Sequence, residues 1–213
     1  LPAILSSLRV SAVNVNSKWA GMLNIEPSAA ITCVKPSGTV SQLVDAASGI
    51  HPRHSKYYIR TVRADKKDPL TEFMTDAGVP VEDDNKKPET TAVFSFPVKA
   101  PTGAITRHNL SALDHLRIWQ VYAEYWCEHK PSITVSVREE EWLEVGAFVF
   151  KHFSTMSGVS FLPMSEHIYE QAPYQDCTKM EYAALLKRMP SSIDWKRLGE
   201  YEREDNTHGS QTL

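Results

Sequence analysis

The stretch Ala29-Ala30-Ile31-Thr32-Cys33-Val34-Lys35-Pro36-Ser37-Gly38-Thr39-Val40-Ser41 decides how this chain is read. Residues 29–34 form a short apolar run with Ile, Thr and Val, bounded by Pro27-Ser28 and Lys35-Pro36, and they predict a buried strand. Pro36-Ser37-Gly38 breaks that strand, and Thr39 or Ser41 can cap a helix running to about Ala47. The loop between strand and helix suits a phosphate. Gly38 has no Cβ, so an anion can approach the backbone. The N–H groups of Thr39, Val40 and Ser41 would project from a helix N-terminus whose dipole favours negative charge. Hydroxyls of Ser37, Thr39 and Ser41 add donors. The spacing is not the GxxxxGK[ST] of a Walker A loop, and no GxGxxG occurs in the chain. On spacing alone, an ordinary loop with a Ser/Thr cap remains open as a reading.

Outward from this unit, Ser48-Gly49-Ile50-His51-Pro52 is a second turn, and His51, Arg53 and His54 read as surface polar residues around it. Residues 56–63 (KYYIRTVR) predict a strand. Residues 65–89 are crowded with charge around the amphipathic Leu70 to Met74, which predicts a short helix ended by Gly78 and flanked by exposed loops. Strands are then predicted at 91–98, 132–137 and 159–162, with helices at 111–129, 139–152 and 178–189. The first of these helices carries Leu113, Leu116, Trp119, Ala123 and Trp126 at three- and four-residue spacings. The second opens on Glu139-Glu140-Glu141, acids that suit a helix N-terminus. The first 23 residues show no clean period. Strands alternating with helices predict parallel βα units and an α/β architecture.

Composition bounds the function. With 213 residues, 42% hydrophobic and a net charge of −3, the chain is too apolar and too nearly neutral to be disordered. No apolar run approaches the roughly 20 residues that span a bilayer, and no basic, apolar leader opens the sequence. Cys33, Cys127 and Cys177 stand far apart without a CxxC, so neither a zinc knuckle nor a thioredoxin-type pair can form locally. Each reads as a small buried hydrophobe in a reducing, cytoplasmic compartment. Residues 1–63 hold seven basic and two acidic residues, whereas the remainder holds sixteen basic and twenty-four acidic. That asymmetry predicts a local anionic ligand rather than general nucleic-acid binding. Asp114-His115 and Glu128-His129 are sequence neighbours and do not share a helix face, which argues against metal ligation. Trp119, Tyr122 and Trp126 read as core rather than as a stacking platform for bases.

The run KPSGTVSQLVDAASGIHPRHSKYYIRTVR, residues 35–63, resembles the substrate-phosphate segment of ribonucleotide reductases. The resemblance is strongest to the adenosylcobalamin-dependent, class II, ribonucleoside-triphosphate reductases. KPSITVSVREEEW (130–142), GVSFLP (158–163) and DWKRLGEYEREDNTHGSQTL (194–213) resemble further segments in the family's order. The resemblance implies part of a ten-stranded α/β barrel, incomplete in this chain. Residues 1–195 would be a C-terminal portion of that barrel, with a charged excursion at about 64–90. Residues 196–213 would be a polar tail leading to a C-terminal cysteine segment. It further implies that Pro36, Ser37, Gly38, Thr39, Val40 and Ser41 bind the substrate's phosphates. The implied activity is reduction of ribonucleoside triphosphates to 2′-deoxyribonucleoside triphosphates by a thiyl radical generated with adenosylcobalamin. Thioredoxin or a similar dithiol would be the reductant, and neither nucleic acid nor membrane is expected as a partner. The radical and redox cysteines are expected outside this chain; Cys33, Cys127 and Cys177 match none of them, so the chain alone is expected to be inactive. Two rivals are a fragment of another reductase class, diiron-dependent or diphosphate-specific, and a non-catalytic nucleotide-binding remnant.

Overall fold

The computed structural model describes residues 1–164 and 170–202. In chain order the elements are α1 (Pro2–Leu23), α2 (Val40–Leu43), β1 (Tyr57–Asp65), α3 (Pro69–Asp76), β2 (Val81–Asp83), β3 (Thr91–Lys99), α4 (Ala112–Tyr125), β4 (Ile133–Val137), α5 (Trp142–His152), β5 (Val159–Pro163), β6 (Tyr174–Asp176) and α6 (Lys179–Arg188). Short 3-10 helices lie at Glu139–Glu141 and Trp195–Glu200. The chain divides into two units, Leu1–Arg53 with Ile105–Ser165, and His54–Ala104 with Glu166–Leu213. No described helix is long and apolar enough to cross a membrane.

The first unit is built on the parallel pair β4–β5, in register from Ile133 opposite Val159 to Val137 opposite Pro163. Strand periodicity sends Ile133, Val135 and Val137 to one face. There they are fully buried with Ala112, Leu116 and Trp119 of α4 and Val145 of α5. The other face carries Thr134 and Ser160, whose hydroxyls lie 2.9 Å apart. Gly158 turns the chain into β5 with φ +70°, and a Cβ there would lie 2.4 Å from the Pro131 carbonyl oxygen. Ser111 caps α4 by accepting the Asp114 N–H at 3.1 Å.

Helix α1 explains why its sequence shows no single period. One side buries Leu5 and Ala20, and α1 packs on α4. A second, exposed stripe of Ile4, Leu8, Val15, Trp19 and Met22 runs at three-, four- and seven-residue steps along another side. Apolar residues on two faces blur the one-sided pattern by which an amphipathic helix is recognised.

Four expectations change here. Residues 29–34 are extended but join no sheet, because their backbone is spent on the chain leaving α4. Thr32 O accepts the N–H groups of Glu128 and His129 at 2.9 and 3.2 Å, and Val34 O accepts that of Ser132 at 3.1 Å. The same contacts end α4 at Tyr125 rather than at residue 129. The helix expected over 39–47 is the single turn α2, stopped by Asp45 in the left-handed region at φ 48°. Finally, among the described strands only β4 and β5 pair in parallel.

The second unit is an antiparallel sheet ordered β2-β3-β1-β6, with α6 packed against β1 and β3. The charged segment 65–89 holds the expected short helix, but its flank is an edge strand of this sheet rather than an exposed loop. It supplies α3 and edge strand β2, and it buries Phe73 and Val79. Its Asp84 is buried, accepting from Arg63 Nε at 2.7 Å and from the N–H groups of Lys86 and Lys87 at 2.9 Å each. The bond from Arg63 foremost, then that from Lys86, holds this carboxyl below the usual range. The polar tail also begins as folded chain. Trp195 and Tyr201 pack their rings on Phe73, with centroids at 5.5 and 5.4 Å, and the Tyr201 hydroxyl donates to Asp76 at 3.0 Å. The rest of that tail, residues 203–213, lies outside the described residues.

Gly158→Ala is expected to lower the urea-unfolding midpoint by the equivalent of roughly 1–3 kcal/mol, from left-handed backbone strain and the Pro131 clash. Gly38→Ala, whose Cβ would meet nothing within 4 Å, should shift stability by no more than about 0.5 kcal/mol. Equal effects would contradict the contrast between the two positions.

Candidate functional site

The loop 36–41 is shaped by its own hydroxyls. Ser37 Oγ accepts the N–H of Ser41 at 3.2 Å, and the buried Ser41 points its Oγ at Ser37 O, 3.5 Å away. Ser48 closes the loop from the other side. Its Oγ accepts the Ser37 N–H at 2.7 Å and donates to Ser37 O at 3.0 Å, holding both polar groups of that residue. The neighbouring Gly49 has φ +58°, and a Cβ there would lie 2.9 Å from the Lys35 carbonyl oxygen, so only glycine lets the two limbs approach this closely.

Three consecutive amides, those of Gly38, Thr39 and Val40, have no acceptor among the described residues. All three residues are exposed, and the space above Gly38 is open. Three N–H groups without an acceptor in a braced loop are donors that an anion can use. Two details of the expected cradle are corrected. The Ser41 N–H is already taken by Ser37 Oγ, so the free donors start one residue earlier, at Gly38. Helix α2 has only four residues, so the field at the loop comes from these local N–H dipoles rather than from a long helix.

The turn after the loop is not a set of surface polar residues. His51 is half-buried, with Nδ1 2.7 Å from Ser48 O and Nε2 accepting the Thr134 N–H of β4 at 2.9 Å. These partners assign a neutral imidazole with its proton on Nδ1. His115 of α4 meets the His51 ring edge-on at 5.6 Å and lies with Nε2 3.0 Å from Ile50 O. Burial foremost, with the nearby His51, pushes the pKa of His115 down to about 4. Arg53 is buried; its guanidinium is bound to the Asp45 carbonyl and carboxylate, the latter at 2.8 Å. The sequence offered no signal for this scaffold beyond the order of residues in GIHPR.

Several basic side chains of residues 1–63 are committed to partners of their own. Lys35 turns its Nζ to Lys130 O and Ser132 Oγ at 2.7 and 2.8 Å. Arg9 donates to Glu124 O, Arg63 pairs with Asp84, and Arg60 donates to Pro173 O while lying over the Tyr174 ring. These cations are structural. All three cysteines are free thiols, and burial raises the pKa of Cys127 and Cys177, which keeps both protonated and slow to exchange. Among the described residues, no group of three His, Cys, Asp or Glu is placed to hold a metal ion.

No family model matches the chain. Among curated proteins it is 31% identical over 179 residues to the adenosylcobalamin-dependent ribonucleoside-triphosphate reductase of Euglena gracilis, covering 83% of this chain and 24% of that protein. It is 27% identical over 208 residues to the enzyme of the same description from Levilactobacillus brevis, covering 94% and 28%. A crystal structure of a B12-dependent, class II ribonucleotide reductase shares the fold, with a TM-score of 0.78 at 23% identity over 94% of this chain and 28% of that one. The chain is homologous to one part of these reductases. It spans about a quarter of the length of the curated relatives it matches. The α/β fold expected from the sequence is observed.

The buried imidazole of His115 gives the segment a pH signature. Its pKa of about 4 lies below the ordinary 6.5, so neutral His115 is accommodated above pH 6.5 and stability falls as pH drops from 6.5 towards 4. The depressed carboxylates, Asp84, Asp114, Glu128 and Glu181, contribute acid sensitivity only below their ordinary range near pH 4. Denaturation midpoints should therefore decline between pH 6.5 and 4.5, and His115→Gln should flatten that slope. An unchanged slope in the variant would contradict a buried, neutral His115.

Proposed function

We propose that this chain supplies the substrate-phosphate loop of an adenosylcobalamin-dependent ribonucleoside-triphosphate reductase, forming a C-terminal portion of its ten-stranded α/β barrel. The observation that carries the reading is the set of free amides at Gly38, Thr39 and Val40, in the segment whose sequence resembles the family's phosphate-binding run. Pro36 and Ser37 shape the loop, Ser41 braces it, and the amides and the Thr39 hydroxyl face the triphosphate. Charge-assisted hydrogen bonds of this kind contribute about 1.5–3 kcal/mol each, enough for three amides to bind an anion without a lysine beside them.

Residues 1–195 belong to the barrel in this reading, and 196–213 lead towards a cysteine-bearing tail that thioredoxin or a similar dithiol would reduce. The complete enzyme acts in the cytoplasm. When bound to the complete enzyme, adenosylcobalamin would supply the radical chemistry for loss of the ribose 2′ hydroxyl, with the radical cysteine expected outside this chain. The residues described here bind and orient the triphosphate.

The test is a chimera in which this chain replaces the homologous quarter of the Euglena gracilis reductase. The chimera should reduce ribonucleoside triphosphates in the presence of adenosylcobalamin and a dithiol, whereas the chain alone should not turn over. Gly38→Val fills open space rather than protein, so it should leave the fold intact and raise KM for the nucleotide by about tenfold or more, equivalent to about 1.4 kcal/mol. A folded but inactive chimera, turnover by the isolated chain, or an unchanged KM would each overturn the proposal.

A further inference from the structure

A continuous hydrogen-bonded path leads from the loop to the sheet. Ser37 is held at both its N–H and its carbonyl by Ser48 Oγ, at 2.7 and 3.0 Å. The Ser48 carbonyl faces His51 Nδ1 at 2.7 Å, and the opposite ring nitrogen accepts the Thr134 N–H at 2.9 Å. Within β4, Ile133 gives its N–H to the β5 side, to Gly158 O at 2.9 Å. Strand alternation therefore turns the Thr134 N–H to the opposite edge, where a neighbouring strand would offer a carbonyl. An imidazole stands in for that carbonyl. His115 meets the same ring edge-on, and its own Nε2 contacts Ile50 O, one residue before His51.

We propose that His51 is a positioning residue for the anion-binding loop. As the neutral Nδ1–H tautomer it couples Ser48, and through it the Ser37 peptide, to strand β4. This fixes the direction of the Gly38, Thr39 and Val40 amides. The imidazole acts through Ser48 and Ser37 and makes no contact with substrate. A flexible loop would have to lose conformational freedom on binding an anion, and a loop already tied to a strand has less to lose. One ring must accept on one side and donate on the other, a pairing that an alkyl side chain cannot provide and a cationic imidazole, with two donors, cannot match. The inference deepens the phosphate-loop reading and rests on it for its consequence in binding, whereas the tie between loop and strand stands on geometry alone.

The experiment uses the full 213-residue chain in solution and two readouts. Amide hydrogen exchange at Ser37 and Thr134 reports the tie itself, and titration with inorganic tripolyphosphate reports its consequence. In the wild type, long-range 15N correlations should show a protonated Nδ1 and an unprotonated Nε2 on His51. His51→Ala should accelerate exchange at both amides and weaken tripolyphosphate binding by about tenfold. His51→Gln and His51→Asn, which retain a donor and an acceptor, should restore part of both. Ser48→Ala breaks the path one link nearer the loop, so it should free Ser37 while leaving Thr134 protected; this variant carries the test should His51→Ala fail to fold. Unchanged exchange at Ser37 in His51→Ala, or in Ser48→Ala should that variant be the only one folded, would overturn the proposal. So would a protonated Nε2, or a binding loss that neither amide variant rescues. Accelerated exchange with no tripolyphosphate binding in the wild type would leave His51 as the tie and remove the phosphate-loop reading instead.

Discussion

Strand β4 pairs with β5 on one side, and the amides on its other edge must find acceptors elsewhere. Unsatisfied backbone donors are costly, so whatever meets that edge is fixed in place by it. Here the acceptors are Val34 O for Ser132 and His51 Nε2 for Thr134. These groups flank the loop 36–41, one before it and one after it. The loop is therefore suspended between two attachments to a single strand. The side of that strand bearing Ile133, Val135 and Val137 is locked into the core by α4 and α5. The rigidity of the loop descends from the packing of Trp119 and Leu116 through β4 to two hydrogen bonds.

The donors left free in the loop are peptide groups rather than cations. Lysine and arginine side chains near the loop in sequence are committed to carbonyls and carboxylates within the scaffold, as Lys35 and Arg53 show. A cation on a long stem gives attraction with little direction, while three backbone donors in a braced loop give both. Ser37, Ser41 and Ser48 use their hydroxyls to build that brace, so the abundance of small hydroxyl residues in the motif is chiefly structural.

Much of the fold was legible in the sequence. The strands at β1, β3, β4 and β5 and the helices α3, α4 and α6 follow from β-branched runs, helical spacing and caps such as Thr178, which accepts the Glu181 N–H at 3.2 Å. What could not be read depended on long-range partners. α1 has apolar residues on two faces, so no single period emerges. Residues 29–34 have the composition of a strand, yet their carbonyls pair with the chain after Trp126. β2 and β6 are three residues each and exist only by pairing with β3 and β1. The loop at Gly38 was recognisable from its residue types. The role of His51 was not, because its acceptor duty is to an amide 83 residues away in sequence.

The most direct measurement of the central claim is a crystal structure of the chain bound to a ribonucleoside triphosphate. Phosphate oxygens should lie about 2.7–3.2 Å from the backbone nitrogens of Gly38, Thr39 and Val40, with the Ser37–Ser48–His51–Thr134 path intact. Phosphates bound against other surfaces, with those three amides facing only solvent, would contradict it.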